Sequence, residues 1–381
     1  MQANRRNTFK LLALALALSG IAASAGAHDN DNDNDRDDDD GFRSGQVFTS
    51  TNGAAGNELL VYASGAGGAL TLQTRLATQG VGTGTGLGNQ GAVTLSRNGR
   101  YLFVVNAASN TVSTFSVRRN GIALESTVDS GGLRPISVTE YDGIVYVLNA
   151  NGAGNVAGFR NRGGNLTPLA GSVRGLSASG GTGAAQVGFS TEGDALVVTE
   201  KATNKLTSYR VGDDGSLGAA IVTNSAGATP FGFAFDKRGH LLVSEAFGGG
   251  ANASAVSSYG FSGSSAQPVV ISPSVGTTQT AACWVVTTPN GRYAYTTNTG
   301  SGTISSYAIQ KSGHVALMQG VATASGPGPI DAAIAGSGRA LFVLNSGARS
   351  LSSIAIARDG SLGTAVVTGG LPVGANGLAA N

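Results

Sequence analysis

Two acidic residues end apolar runs where polar amides would be expected. Glu200 closes ALVVTE and Glu245 closes HLLVSE, whereas the matching runs close at Asn52, Asn106, Asn149, Asn298 and Asn345. A carboxylate at such a site could serve as general base toward water, and a nearby guanidinium or amide could steady a developing oxyanion. Arg134 is the guanidinium expected beside them. Gln186, Trp284 and Asp331 are the further side chains expected at the same place, as contacts for a bound molecule. Asn106, Asn149, Asn298 and Asn345 also have a structural reading, because Asn in a turn tolerates a left-handed backbone and bonds locally.

Other chemistry is missing. The stretch from Gly86 to Gly91 spells G-x-G-x-x-G but leads into a strand pattern, so it lacks the helix that would cradle a phosphate. No G-x-S-x-G elbow occurs. Three His and one Cys cannot build an ordinary His/Cys zinc site. His240 and His314 read as surface residues, and Cys283 as a buried structural thiol.

The elements that must position these side chains are repeats. NGRYLFVVNAASNTVSTFSV, from Asn98 to Val117, reads as a turn, an apolar strand, a polar turn and an alternating strand with one wetter face. The pattern returns at intervals of about 43–54 residues, the mark of a propeller. A strand precedes each hairpin and another follows it. The expectation is an all-β, seven-bladed β-propeller with four antiparallel strands per blade. The first copy starts at its second strand near Val47. GANGLAAN, at the C-terminus, is expected to supply the missing strand and close the ring in the first blade. Loops into the first strands and turns after the second then share one face around a central channel, which gathers the residues named above.

The ends and the charge set the context. Arg5, Arg6 and Lys10 precede an apolar run, and Ala25-Gly26-Ala27 follows, so residues 1–27 read as a secretory signal. Residues 28–44 begin with HDNDNDNDRDDDD, an acidic leader expected to be disordered. Its spacing lacks the Gly and Glu of a calcium loop. Residues 45–381 are the propeller. The expected location is periplasmic or secreted, with no membrane association after cleavage of the signal. Charges beyond the leader are mildly basic and scattered, so nucleic acid is not an expected partner. The glycine-rich stretch 82–91 is assigned to turns. A monomer is expected.

The blade pattern resembles the seven-bladed lactonase-like propellers, which include propeller-type 6-phosphogluconolactonases and carboxymuconate cyclases. The likeness covers residues 45–381 and is best in ATPFGFAFDKRGHLLVSEA, ALVVTEKATNKLTSYRV and TTPNGRYAYTTNTGSGTISSYAI. The same hairpin grammar occurs in YVTN and WD40-type repeats. The resemblance implies hydrolysis or formation of a lactone ring, with Glu200 or Glu245 as base and Arg134 beside it. The chain departs from the family's Pro-Arg-His pattern. Its His column holds Ala92, Ser137, Gln186, Gly232, Trp284 and Asp331, and its Arg column holds Ile136, Phe231 and Ile330. Phosphogluconolactone does not suit an exported chain. No cofactor is required, although a calcium ion among carboxylate and amide oxygens is a variant of the reading. The alternative is a non-catalytic envelope propeller binding a carbohydrate, peptide or protein, with Trp284 as a stacking platform.

Overall fold

A computed structural model describes residues 45–261 and 265–381; the signal and acidic leader lie outside the described residues. Seven antiparallel sheets form the propeller. In the sheet built from Val93–Leu95, Tyr101–Asn106, Thr111–Arg118 and Gly121–Asp129, the strands lie side by side in chain order, from the channel outward. The later sheets repeat that order. Their inner strands are Leu133–Tyr141, Ala184–Phe189, Pro230–Phe235, Ala282–Thr287 and Pro329–Ile334. Each inner strand packs on the next, and the series returns to its start.

Ring closure takes the expected form. Asn376–Ala380 is the inner strand of the first blade and pairs antiparallel with Gln46–Ser50. Leu371 and Leu378 join Val47 and Leu60 of the first blade to Phe342, Leu344 and Leu351 of the last in one apolar cluster. Each buried Leu contributes about 1.5–3 kcal/mol.

One expectation needs correction. The alternating strand Thr111–Arg118 has no wet face over its middle, since Ser113, Thr114 and Ser116 are buried with Val112 and Phe115. Neighbouring blades cover both sides of the sheet. Ser113 donates to the carbonyl of Thr78 at 2.7 Å, which satisfies its hydroxyl inside.

Six inner strands carry a β-bulge near their start, at Pro135/Ser137, Ala184/Gln186, Pro230/Phe233, Ala282/Trp284, Pro329/Asp331 and Asn376/Leu378. A bulge adds an unpaired residue and re-aims its neighbours. It sets Gln186 and Asp331 on the channel wall. The inner edge of each blade leaves backbone groups facing the channel, and side chains of adjacent blades satisfy them. Gln186 is the clearest case: its amide donates to the carbonyl of Phe233 at 2.9 Å and accepts from the Phe233 N–H at 2.6 Å.

Candidate functional site

The position that ends each second strand is a clasp. Asn106 donates to Ser113 Oγ at 2.8 Å and accepts from Thr78 Oγ1 at 2.8 Å. Asn149 accepts from Ser130 Oγ at 2.7 Å and donates to the Ser130 carbonyl at 3.0 Å. Asn298 donates to Ser305 Oγ at 2.8 Å. Asn345 donates to Ser352 Oγ at 2.8 Å and to the Ser325 carbonyl at 3.0 Å. Thr78, Ser130 and Ser325 lie on the connections arriving from the preceding blades, so the clasp fixes blade to blade. The left-handed backbone expected of these Asn residues occurs at Asn52 but not at Asn106, Asn149, Asn298 or Asn345.

The two glutamates do the same work with longer arms. Glu200 Oε1 accepts from Thr207 Oγ1 at 2.6 Å and from the Ser177 N–H at 3.0 Å. Its Oε2 accepts from Thr203 Oγ1 at 2.9 Å and from the Ser177 hydroxyl. Glu245 Oε1 accepts from Ser257 Oγ at 2.5 Å and the Gly227 N–H at 2.7 Å, and its Oε2 from Ser274 Oγ at 2.6 Å. Both side chains are 0% exposed, and neither lines the channel cavity. Burial raises the Glu245 carboxyl above the usual range, opposed by its Ser257, Ser274 and Gly227 donors. The expectation that these acids meet at the channel mouth is therefore corrected: their oxygens are turned into the blades and filled by Ser, Thr and N–H donors.

The signal for this clasp was in the sequence. A Ser or Thr stands seven residues after Asn106, Glu200, Asn298 and Asn345, at Ser113, Thr207, Ser305 and Ser352. Glycine on the incoming connection is the second part. A Cβ at Gly227 would lie 2.2 Å from Glu245 Oε2, and one at Gly132 would lie 2.7 Å from the Asn149 side chain.

The mouth itself is closed. Leu87 to Gly91, the former phosphate-loop lookalike, crosses it. The Gln90 N–H donates to the Ala185 carbonyl at 3.2 Å, and the Gln90 amide donates to the Val285 carbonyl at 3.2 Å. Asn89 donates to the Ile136 carbonyl and Lys201 Nζ to the Gly88 carbonyl. Trp284 lies beneath, 3% exposed, tilted against Phe231 with ring centroids 4.9 Å apart. It offers no open stacking platform, which corrects that expectation.

Arg134 opens the third blade's inner strand in a left-handed conformation, φ 57°, with its N–H donating to Asn110 Oδ1 at 2.7 Å. Lys201 Nζ lies 4.3 Å from the centroid of the Phe231 ring. Burial lowers its ammonium to about 8, the Cys283 thiol opposes that, and Arg134 adds to it. Cys283 is buried, and burial pushes its thiol up to about 11. Lys201 and the Leu87–Gly91 crossing went unread in the sequence, because nothing local says that a Gly-rich turn spans to three other blades.

Below this cap lies a channel cavity of about 380 Å³. Gln90, Gln186 and Asp331 line it, with Phe189 and Phe235 on another part of the wall. Asp331 is buried; its Oδ1 accepts from the Ala332 N–H at 2.9 Å. Its Oδ2 has no partner at hydrogen-bonding geometry. Burial drives the Asp331 carboxyl well above the usual range, although the Ala332, Leu378 and Gly91 N–H groups oppose this. The shift favours the protonated form of the Asp331 carboxyl. So Gln186 and Asp331 share the cavity, Trp284 lies above it, and the glutamates and asparagines stand within the blades. Among the described residues no cluster of three His, Cys, Asp or Glu is placed to hold a metal.

A family model described as lactonase, 7-bladed beta-propeller, matches residues 156–259 and 254–373. No curated protein sequence matches the chain. Among solved structures, a proposed 6-phosphogluconolactonase from Bacteroides uniformis superposes with a TM-score of 0.68 at 15% identity, covering 88% of this chain and 99% of its own. The periplasmic gluconolactonase of Pseudomonas aeruginosa gives 0.65 at 17% identity, with the same coverage of 88% and 99%. At these identities the structural likeness is one of fold. The family match takes in more than half of the sequence, and the chain belongs to the seven-bladed β-propeller lactonase family.

Proposed function

We propose a lactonase-like function in which a small lactone is engaged at the hub of the propeller and its ring opened with Asp331 as proton donor. The observation that carries this reading is the buried Asp331 carboxyl, whose Oδ2 has no hydrogen bond of good geometry, on a cavity of about 380 Å³, within the ~300–1,000 Å³ range of ordinary ligand pockets. Water adds to the carbonyl carbon, the ring C–O bond breaks, and the Asp331 proton passes to the departing ring oxygen. The carboxylate left behind takes a proton from the added water. A raised carboxyl suits a general acid near neutral pH. Glu200 and Glu245 do not enter this scheme, and neither does a metal. Export to the periplasm or medium is part of the reading and agrees with the signal-like leader.

The test is ring opening of a panel of simple lactones by the purified protein, with and without calcium and with a chelator. Asp331→Asn is expected to lose about 10²–10⁴ in rate. Glu200→Gln and Glu245→Gln are expected to keep turnover. Loss of activity in either glutamine variant, with Asp331→Asn unchanged, would return the chemistry to the mouth.

A second reading is favoured by one observation. The family's Arg column is apolar here, at Ile136, Phe231 and Ile330, two of them on a mouth that is capped. A non-catalytic propeller binding a sugar-like molecule accounts for that. Binding of a lactone without turnover would support it over hydrolysis.

A further inference from the structure

We infer that the ligand reaches the channel from the face opposite the capped mouth, and that the channel selects a neutral ring over its ring-opened anion. This rests on the lactonase-like reading and adds the side of access and the charge of the ligand.

The first argument is where the cavity is open. At the mouth, the bulge residues Ile136, Ala185 and Cys283 are buried, and the Leu87–Gly91 crossing is bonded to the third, fourth and sixth blades. At the far end the cavity lining runs to Leu95, Phe235, Ile334 and Ala380, the last residues of four inner strands. All four are only partly buried. Solvent therefore meets the cavity at the strand ends, not at the mouth.

The second argument is charge. Among the described residues no Lys, Arg or His lines the cavity, and its one ionisable group is Asp331. An aldonate or a phosphorylated sugar would bring a negative charge into a narrow channel with no cation to meet it, which is costly. A neutral lactone would not. Its carbonyl or hydroxyl can take the proton of Asp331, and its apolar ring face can lie on Phe189 or Phe235, a common division of labour in sugar recognition. Burial favours the protonated form of Asp331, which is the form that such a contact uses.

The experiment is calorimetric titration of the full chain with D-glucono-δ-lactone and, separately, gluconate. Melting curves check the folding of each variant. Wild type is expected to bind the lactone at least about tenfold tighter than gluconate, and Asp331→Asn to weaken it about tenfold. Ala333→Trp and, independently, Ala234→Trp fill the far end and are expected to abolish binding, while Lys201→Met at the mouth leaves it unchanged. If the tryptophan variants fail to fold, Asp331→Asn and Lys201→Met decide. Lactone binding lost in Lys201→Met and intact in Asp331→Asn and the folded tryptophan variants overturns the inference and leaves the lactonase-like reading standing. Gluconate binding tighter than lactone overturns the charge selection. Failure of wild type to bind any of a panel of neutral lactones overturns both.

Discussion

The indole Nε1 of Trp284 donates to the backbone carbonyl of Asn89 at 2.7 Å, tying the sixth blade to a loop that leaves the first. This bond and those of Gln90 hold the cap over Cys283. Cys283 is buried with a thiol raised to about 11, so a thiol reagent should label it slowly in native protein. Trp284→Phe keeps the ring and removes the donor. Losing that bond costs about 1 kcal/mol, so labelling should quicken by about fivefold to tenfold. Unchanged labelling kinetics would mean that the cap does not control access at the mouth.

Glu200 and Glu245 should behave as structural residues. A glutamine at either site turns an amide N–H₂ toward hydroxyl and N–H donors and leaves one of them unmet. The expected cost is about 1–3 kcal/mol, or a fall of roughly 2–12 °C in melting temperature, with lactone turnover retained. Gly227→Ala should destabilise as well, because its methyl would press on Glu245. Thermal melts beside an activity assay separate these effects from catalysis.

The wheel of sheets was legible in the sequence, and the site was largely not. Hairpins such as NGRYLFVVNAASNTVSTFSV carry their own turn and strand chemistry, and stacking is their only way to cover both faces. The missing first strand near Val47 and the spare GANGLAAN made closure readable too. Glu200 misled because its role depends on Ser177 and Thr207 converging from two different connections and strands. The seven-residue spacing to a hydroxyl gave a hint that an acid there is a clasp. Gln186 and Asp331 stand in the family's His column, but the raised carboxyl of Asp331 depends on burial, which no local pattern encodes.

Asp331 and Glu245 fix the sign of the pH dependence. Both carboxyls are raised in the folded chain by burial, so the folded state holds more protons than the unfolded one. The stability that these two groups contribute should therefore fall as pH rises above about 4 and through the raised values. Asp331→Asn removes one of these protonation terms. Its melting temperature should decline less steeply with pH than that of wild type, and the variant should become the more stable of the two toward alkaline pH. A parallel decline in both proteins would mean that Asp331 is ionised in the fold.

Removal of the closing strand should be severe. A chain ending before Leu371 loses Leu371 and Leu378 from the cluster joining the first and last blades, and leaves Gln46–Ser50 an open edge. Two leucines alone are worth about 3–6 kcal/mol, so the melting temperature should drop by on the order of 10 °C or the protein should aggregate. Melting like the full chain would contradict the closure energetics.

The most direct measurement is a crystal structure of the full chain soaked with D-glucono-δ-lactone. Density is expected for one ring below the Leu87–Gly91 cap, with a ligand oxygen within hydrogen-bonding distance of Asp331 Oδ2 and the ring beside Phe189 or Phe235. Density at the mouth side of Trp284, with Glu200 or Glu245 turned toward it and the channel empty, would contradict it.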